Sequence, residues 1–360
     1  MTVISDYRNV PVLKGASFPG DLEAITSDPA NHRLEVVIGL TDVSDVVAFT
    51  RPQEGIEVIK AAVTLAGRLQ RHTPQWAMAY ARCFPVAASR FRSIGALDKA
   101  DVMFSLANDC LRKVPGEHVA ERADHCRRLG ILRTYQGMLD DALEFANRSR
   151  RYFEHVGHPH GVGCALVCRG NVYARWQRFD AAARDFRTAL ESLDRDFGFI
   201  YAYAASVNLA LALIDGAGGE RDIGHAISQL QEVSALSPYE EGTAPFLTML
   251  WAQARLLMKL SQHAAAQVKL REVCAGWQRL GLPLELTIAS LDLARCYYEQ
   301  DMHGDLARLA GRMFPLLTRF RHDTHAYGAL KAFHRAALAG GLDATLITGA
   351  RAAVEVAQVA

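Results

Sequence analysis

Apolar residues recur along most of this chain at spacings of three and four, and short polar or glycine-containing breaks interrupt them at regular intervals. Leu166, Gly170 and Tyr173 fall on one helical face, and Phe179, Ala182, Ala183, Phe186 and Leu190 form a stripe beyond the next break. No stretch alternates with the period of two that a half-buried strand requires, so the pattern predicts an all-α protein. One set of breaks falls at Gly95–Asp98, Gly137–Asp140, Gln177–Asp180, Gly216–Arg221, Ser261–His263, His303–Asp305 and Gly340–Asp343, at intervals of about 40 residues. A second set lies between them, at Val114–Gly116, Gly157–His160, Asp196–Gly198, Ser237–Pro238, Gly281–Pro283 and His322–Thr324. Each unit therefore reads helix, tight turn, helix, looser turn, with Pro and Gly where a helix must end. Two helices cannot cover such apolar faces alone, so neighbouring units must stack into a solenoid.

The pattern extends upstream. Ser27-Asp28-Pro29 reads as an N-cap with proline at the first helical position, and Thr50-Arg51-Pro52 starts a second helix running to about His72. The expected organisation is an extended or mobile arm over residues 1–28, a divergent helix pair over 29–73, a repeat array over 74–321 and a capping pair over 322–360. That makes a solenoid of about eight antiparallel helix pairs.

The unit Leu166-x-x-Arg169-Gly170-x-x-Tyr173 followed by Phe179-x-x-Ala182-x-x-x-Phe186-x-x-Ala189 resembles the tetratricopeptide repeat (TPR) consensus, with Leu166 in place of its tryptophan and Arg169 in place of its leucine. The preceding unit keeps Leu129-Gly130, Gly137 and Ala142 but has Arg133 where the tyrosine belongs, and the one before keeps Phe91, Gly95, Ala100 and Phe104. Leu293-Ala294-x-x-Tyr297 is a later echo, and the segment from Ser290 to Pro315 resembles the C-terminal part of TPR-like proteins common in bacteria. The resemblance spans roughly Trp76 to the C-terminus. It implies a right-handed superhelical solenoid that serves as a protein-binding scaffold, regulator or peptide sensor.

Composition narrows the classes. The 40 basic and 39 acidic residues leave a net charge of +1, without the basic excess of a nucleic-acid binder, so no nucleic-acid partner is expected. Seven cysteines, odd in number and without C-x-x-C spacing, argue for reduced, buried thiols. No signal-peptide pattern opens the chain and no run of 18 apolar residues interrupts it, so a cytoplasmic protein with no membrane partner is expected.

Candidate chemistry is sparse. His155, His158, His160, Cys164 and Cys168 are the ligand types zinc prefers, and the last three would share a helix face. They also lie on a repeat junction, with both cysteines where small buried residues belong, so packing is the favoured reading and no cofactor is expected. There is no H-E-x-x-H, no G-x-S-x-G elbow, and Cys83, Cys126 and Cys296 fall within helices. The loop Asp215–Arg221 lacks the lysine and preceding strand of a phosphate-binding loop, and reads as a lengthened turn. Arg127-Arg128, Arg133 and Arg148-x-Arg150-Arg151 sit near Asp124, Asp140, Asp141 and Glu144 at helical spacing, as solvated faces with salt links do.

In the TPR-like arrangement the first helix of each pair lines a concave groove. The residues mapped there are Arg92, Arg127, Tyr135, Asn171, Arg175, Trp251, Arg255, Lys259, Arg295 and Glu299, suited to an extended partner's backbone, carboxylates and aromatic contacts. The expectation is a non-catalytic scaffold or adaptor that binds a protein or peptide there, with homo-oligomerisation left open. The alternatives are a ligand-sensing regulator, and a regulatory or inhibitory subunit of a bacterial stress or defence enzyme.

Overall fold

A computed structural model describes residues 10–14, 16–193, 199–216, 218–236, 239–321 and 323–355. The first nine residues of the expected arm, the breaks at 196–198 and 237–238, and His322 lie outside the described residues. Among those described there is no strand, and the regular structure consists of seventeen α-helices and three short 3-10 turns. After the short α1 (Leu22–Ser27), sixteen fall into eight consecutive pairs. These are α2 (Leu34–Thr50) with α3 (Pro52–Ala66), α4 (Pro74–Ser93) with α5 (Leu97–Lys113), α6 (Val119–Tyr135) with α7 (Leu139–His155), and α8 (Pro159–Arg175) with α9 (Phe179–Ser192). They continue as α10 (Phe199–Gly216) with α11 (Glu220–Leu236), α12 (Ala244–Lys259) with α13 (His263–Leu280), α14 (Pro283–Glu299) with α15 (His303–Leu317), and α16 (Thr324–Ala339) with α17 (Ala344–Glu355).

The tight turns share one geometry. A residue in the left-handed region ends the first helix at Gly95, Gly137, Gln177, Ser261 and Asp301, with φ of 81°, 72°, 57°, 58° and 54°. In each case the next amide bonds five residues back: Ala96 to Phe91 O, Met138 to Arg133 O, Arg178 to Tyr173 O, Gln262 to Leu257 O and Met302 to Tyr297 O, at 2.8–2.9 Å. This hydrogen bond satisfies a carbonyl that the helix end would otherwise orphan, and its recurrence is the repeat written in the backbone.

The chain divides into two compact units, Met1–Leu132 with Glu144–Ala165 and Arg133–Leu143 with Leu166–Ala360. In the first unit, the described part of the expected arm is not extended. Pro11–Leu13 forms a 3-10 turn and α1 follows, with Leu13 and Ile25 buried among Val36, Leu40 and Val43. Gly39 makes room for this: a Cβ there would lie 2.5 Å from Leu13 Cδ1. Asp28 does cap a helix, accepting from Ala30 N at 2.9 Å, but the helix is a single 3-10 turn (Pro29–Asn31) and α2 begins at Leu34. The second helix starts at Pro52 as the sequence indicates and stops at Ala66, short of His72, where a tight turn intervenes.

In the second unit the repeat motif explains itself. A Cβ on Gly170 would lie 2.7 Å from the Phe186 ring, so α8 and α9 approach as closely as glycine allows, with Ala182, Ala183 and Ala189 buried beside them. Arg169, standing where the TPR consensus has leucine, forms two hydrogen bonds of 2.7 Å to the buried carboxylate of Asp185 across the same interface. Closer to the C-terminus the packing changes. Where α10 lies against α12 and α12 against α14, as successive first helices do, it is α17 and not α16 that packs on α14. Leu330, Phe333, Ile347 and Ala350 join Leu291 and Leu309 in one core, so α14–α17 close as a ring of four helices.

A candidate binding face on the first helices

The second unit's first helices α8, α10, α12 and α14 carry a chain of polar side chains on the side that faces their neighbours. Asn208 Nδ2 on α10 donates to Asn171 Oδ1 on α8 at 2.9 Å, and both side chains are half-buried. Asp215, the single charge of the otherwise uncharged α10, pairs with Arg255 of α12 at 2.5 Å. Arg255 also approaches Asp292 of α14 (3.9 Å), and its guanidinium lies 5.7 Å from the Trp251 ring centre. Trp251 Nε1 donates to Asp292 Oδ2 at 2.8 Å, and Arg351 of α17 meets Asp292 Oδ1 at 2.6 Å. Asp292 is thus a fully enclosed carboxylate, 4 % exposed, held by an indole and an arginine from two different helices. Glu355, one turn beyond Arg351, forms an ion pair with its Nη2 at 2.9 Å. Burial pushes the Glu355 carboxyl above its ordinary range, against the pull of Arg351 and Arg255.

Tyr135, at the end of α6, belongs to this unit too. Its hydroxyl donates to Glu285 Oε1 of α14 at 3.2 Å, and the Arg175 guanidinium stacks 5.5 Å from its ring centre. One nitrogen of that guanidinium, Nη1, is sealed from solvent without a hydrogen-bond acceptor. Arg295 pairs with Glu299, one turn on, and Lys259 is exposed at the end of α12.

Of the ten residues mapped from sequence, the structure therefore joins Trp251 with Arg255, Tyr135 with Arg175, and Arg295 with Glu299. It gives Asn171 a partner in Asn208, which the sequence reasoning missed along with Asp215, Glu285, Asp292 and Arg351. Asp215 and Asp292 had a readable signal: a lone acid within an apolar helical run.

Arg127 and Arg92 lie in the first unit, where Arg92 is half-buried in the last turn of α4. Arg127 is not a groove residue open to a partner, and Arg127-Arg128 is not a solvated face. The two side chains are 8 % and 10 % exposed, and both clamp Asp124. Arg128 also binds Asp45 of α2, which Arg90 of α4 holds from the other side at 2.8 Å. Burial alone would raise both carboxyls, but Arg127 and Arg128 at Asp124, and Arg128 and Arg90 at Asp45, hold them below the usual carboxylate range. These cations are consumed in joining α2, α4 and α6. Arg148 and Arg150 do form exposed links, to Glu144 and Glu154.

The His/Cys cluster is parted by its own packing. His158 Nδ1 accepts the Gly161 amide at 2.9 Å, His155 is exposed, and Cys164 Sγ meets only His160 Nε2 at 3.5 Å within this group. Burial pushes the Cys164 thiol up to about 12, away from the thiolate that metals bind. Among the described residues no three His, Cys, Asp or Glu side chains are placed to hold a metal ion. Nor is any described helix long and apolar enough to cross a membrane.

No family model matches this sequence, and no curated protein matches it. Solved structures do. A Rap protein in complex with the competence and sporulation factor superposes with a TM-score of 0.64, over 88% of this chain and 85% of its own, at 11% identity. This is a TPR-like helical-repeat fold. The Cut9–Hcn1 hetero-tetramer of the APC/C gives a TM-score of 0.55 at 14% identity, over 99% of this chain and 58% of its own. The apo form of RapI gives 0.50 at 12% identity, over 97% and 92%. At such identities what is shared is the TPR-like architecture.

Proposed function

We propose that this TPR-like protein is a non-catalytic regulator or adaptor whose second unit binds an extended segment of a protein or peptide partner on the face of α8, α10, α12 and α14. The observation that carries the reading is the Asn171–Asn208 pair. Once one amide donates to the other, the pair still offers an NH2 group and a carbonyl oxygen side by side, in whichever direction the shared bond runs. A peptide unit presents the complementary acceptor and donor, so the pair is matched to main chain and indifferent to side chain. Two structural neighbours agree in kind: Cut9–Hcn1 is a protein hetero-tetramer, and the Rap protein is complexed with the competence and sporulation factor.

The test is a comparison of variants by affinity purification and mass spectrometry from the native cell. A stoichiometric polypeptide should accompany the wild-type chain and the exposed-surface variant Glu154→Ala, and should be lost from Asn171→Ala/Asn208→Ala. Retention by the double variant contradicts the reading. A short co-purifying peptide rather than a folded protein would favour the sensor form of it.

A further inference from the structure

The last helix departs from the repeat in a way the stacking of units does not require. In register, α16 should be the next first helix beside α14; instead α17 takes that flank. It lies close enough to the first-helix face for Arg351 to reach Asp292, and the Arg295 guanidinium meets the Ala344 carbonyl at its start (3.5 Å). Its apolar anchors are small: Ala350 and Ala353, with Ile347 and Val354 as the larger members. What holds its polar side is Arg351. That side chain makes close ion contacts through Nε to Asp292 and Nη2 to Glu355, yet neither buried N–H lines up with an acceptor as a hydrogen bond. Arg351 satisfies the charge of the pocket and not its geometry. An arginine approaching along a different path could supply both, because a guanidinium bonds a carboxylate best as a planar fork.

We propose that Asp292, with Trp251, Arg255 and Asp215 around it, is a guanidinium-binding pocket that α17 fills in cis through Arg351, and that a polypeptide partner presenting an arginine displaces α17 to reach the face. The proposal rests on the polypeptide-binding reading above and adds to it the partner's chemistry and an autoinhibitory contact. A helix of twelve residues is marginal once detached, so displacement also melts α17. Opening is then a local, low-cost event of the kind that native-state exchange resolves.

The test uses the full chain and, as probe, a fluorescein-labelled synthetic peptide with the sequence of residues 344–355. Hydrogen exchange of the wild type should show the α17 amides opening together, at least ten-fold more often than those of α16. In Arg351→Ala the α17 amides should open at least ten-fold more often again, and the probe should bind this variant at least ten-fold more tightly than it binds wild type. A probe carrying alanine at the position of Arg351 should lose that binding, and a lysine probe should bind at least ten-fold more weakly than the arginine one. Equal opening of α17 and α16, or equal binding of the three probes, would overturn the proposal. Should Arg351→Ala not fold, the wild-type exchange comparison decides alone. The assay uses no cellular partner, so its failure leaves the Asn171–Asn208 reading standing, and loss of that reading leaves these outcomes unchanged.

Discussion

Replacing Arg169 by leucine restores the residue that the TPR consensus carries, and should nonetheless destabilise the second unit strongly. Arg169 and Asp185 are 19% and 10% exposed, and their two 2.7 Å hydrogen bonds satisfy a carboxylate wedged between α8 and α9. Arg169→Leu leaves that carboxylate buried without its cation, a change that costs about 3–5 kcal/mol in buried pairs. The residual exposure of Arg169 lets some water reach the site, which places the cost near the lower end, at about 3 kcal/mol. Arg169→Leu/Asp185→Leu removes both charges and fills the space with carbon, so it should fall within about 1 kcal/mol of wild type. A coupling energy above about 2 kcal/mol is therefore expected between the two positions. Hydrogen exchange over residues 166–192 reads this locally, where 3 kcal/mol appears as roughly a hundred-fold faster opening. Urea denaturation followed by tryptophan fluorescence reads it globally. The reasoning is refuted if Arg169→Leu costs under about 1 kcal/mol, or if the double variant is as unstable as the single one.

Three further outcomes follow from the packing. His125 is buried, edge-on to Phe104, and burial lowers its pKa from 6.5 to about 4 despite the nearby Asp124. The unfolded chain therefore binds this proton first, so stability is full above pH 6.5 and falls between 6.5 and about 4, by on the order of 3 kcal/mol; urea titrations across that window should show the loss, and His125→Phe should flatten it. Below that window the depressed carboxyls of Asp45 and Asp124 take over the decline, since both must be protonated out of their arginine clamps. The thiols of Cys83, Cys164 and Cys296 are pushed up to about 12 and that of Cys274 to about 11, so a disulfide reagent at pH 7.5 should leave them unmodified until urea is added, and rapid labelling of any one in the native chain would contradict its placement. Gly170→Ala forces a methyl to within 2.7 Å of the Phe186 ring and should cost about 1–3 kcal/mol by urea melting, with part of the loss recovered in Gly170→Ala/Phe186→Leu.

The helix pairs were legible because periodicity and chain breaks are local properties. Gly170, Ala182 and Phe186 advertise a close helix crossing by residue type alone, and the tight turns at Gly95 and Gly137 are where glycine suits a positive φ. The departures were less legible for a physical reason: they depend on partners distant in sequence. Arg169 looked like a defect in the motif until Asp185, sixteen positions on, supplied its reason. Arg127 looked exposed because its neighbours are charged, yet those charges belong to a network that extends through Arg128 and Asp45 to α2 and α4. Leu13 and Ile25 have no period to reveal them, since single side chains dock where Gly39 leaves room. The arrival of α17 on α14 has no sequence signature of its own. Its composition is that of any small-residue helix, and only the pairing of Arg351 with Asp292 marks its place.

Photo-crosslinking from the first-helix face tests the central claim most directly. A benzoylphenylalanine replacing Ala204, one turn from Asn208 on α10 and half-buried, should capture a polypeptide when the full chain is irradiated in its native cell. The account predicts one dominant adduct from position 204, absent when Asn171→Ala/Asn208→Ala is added and absent from the exposed position Glu232 on α11. The same adduct from both positions, or one that survives the asparagine substitutions, would contradict it.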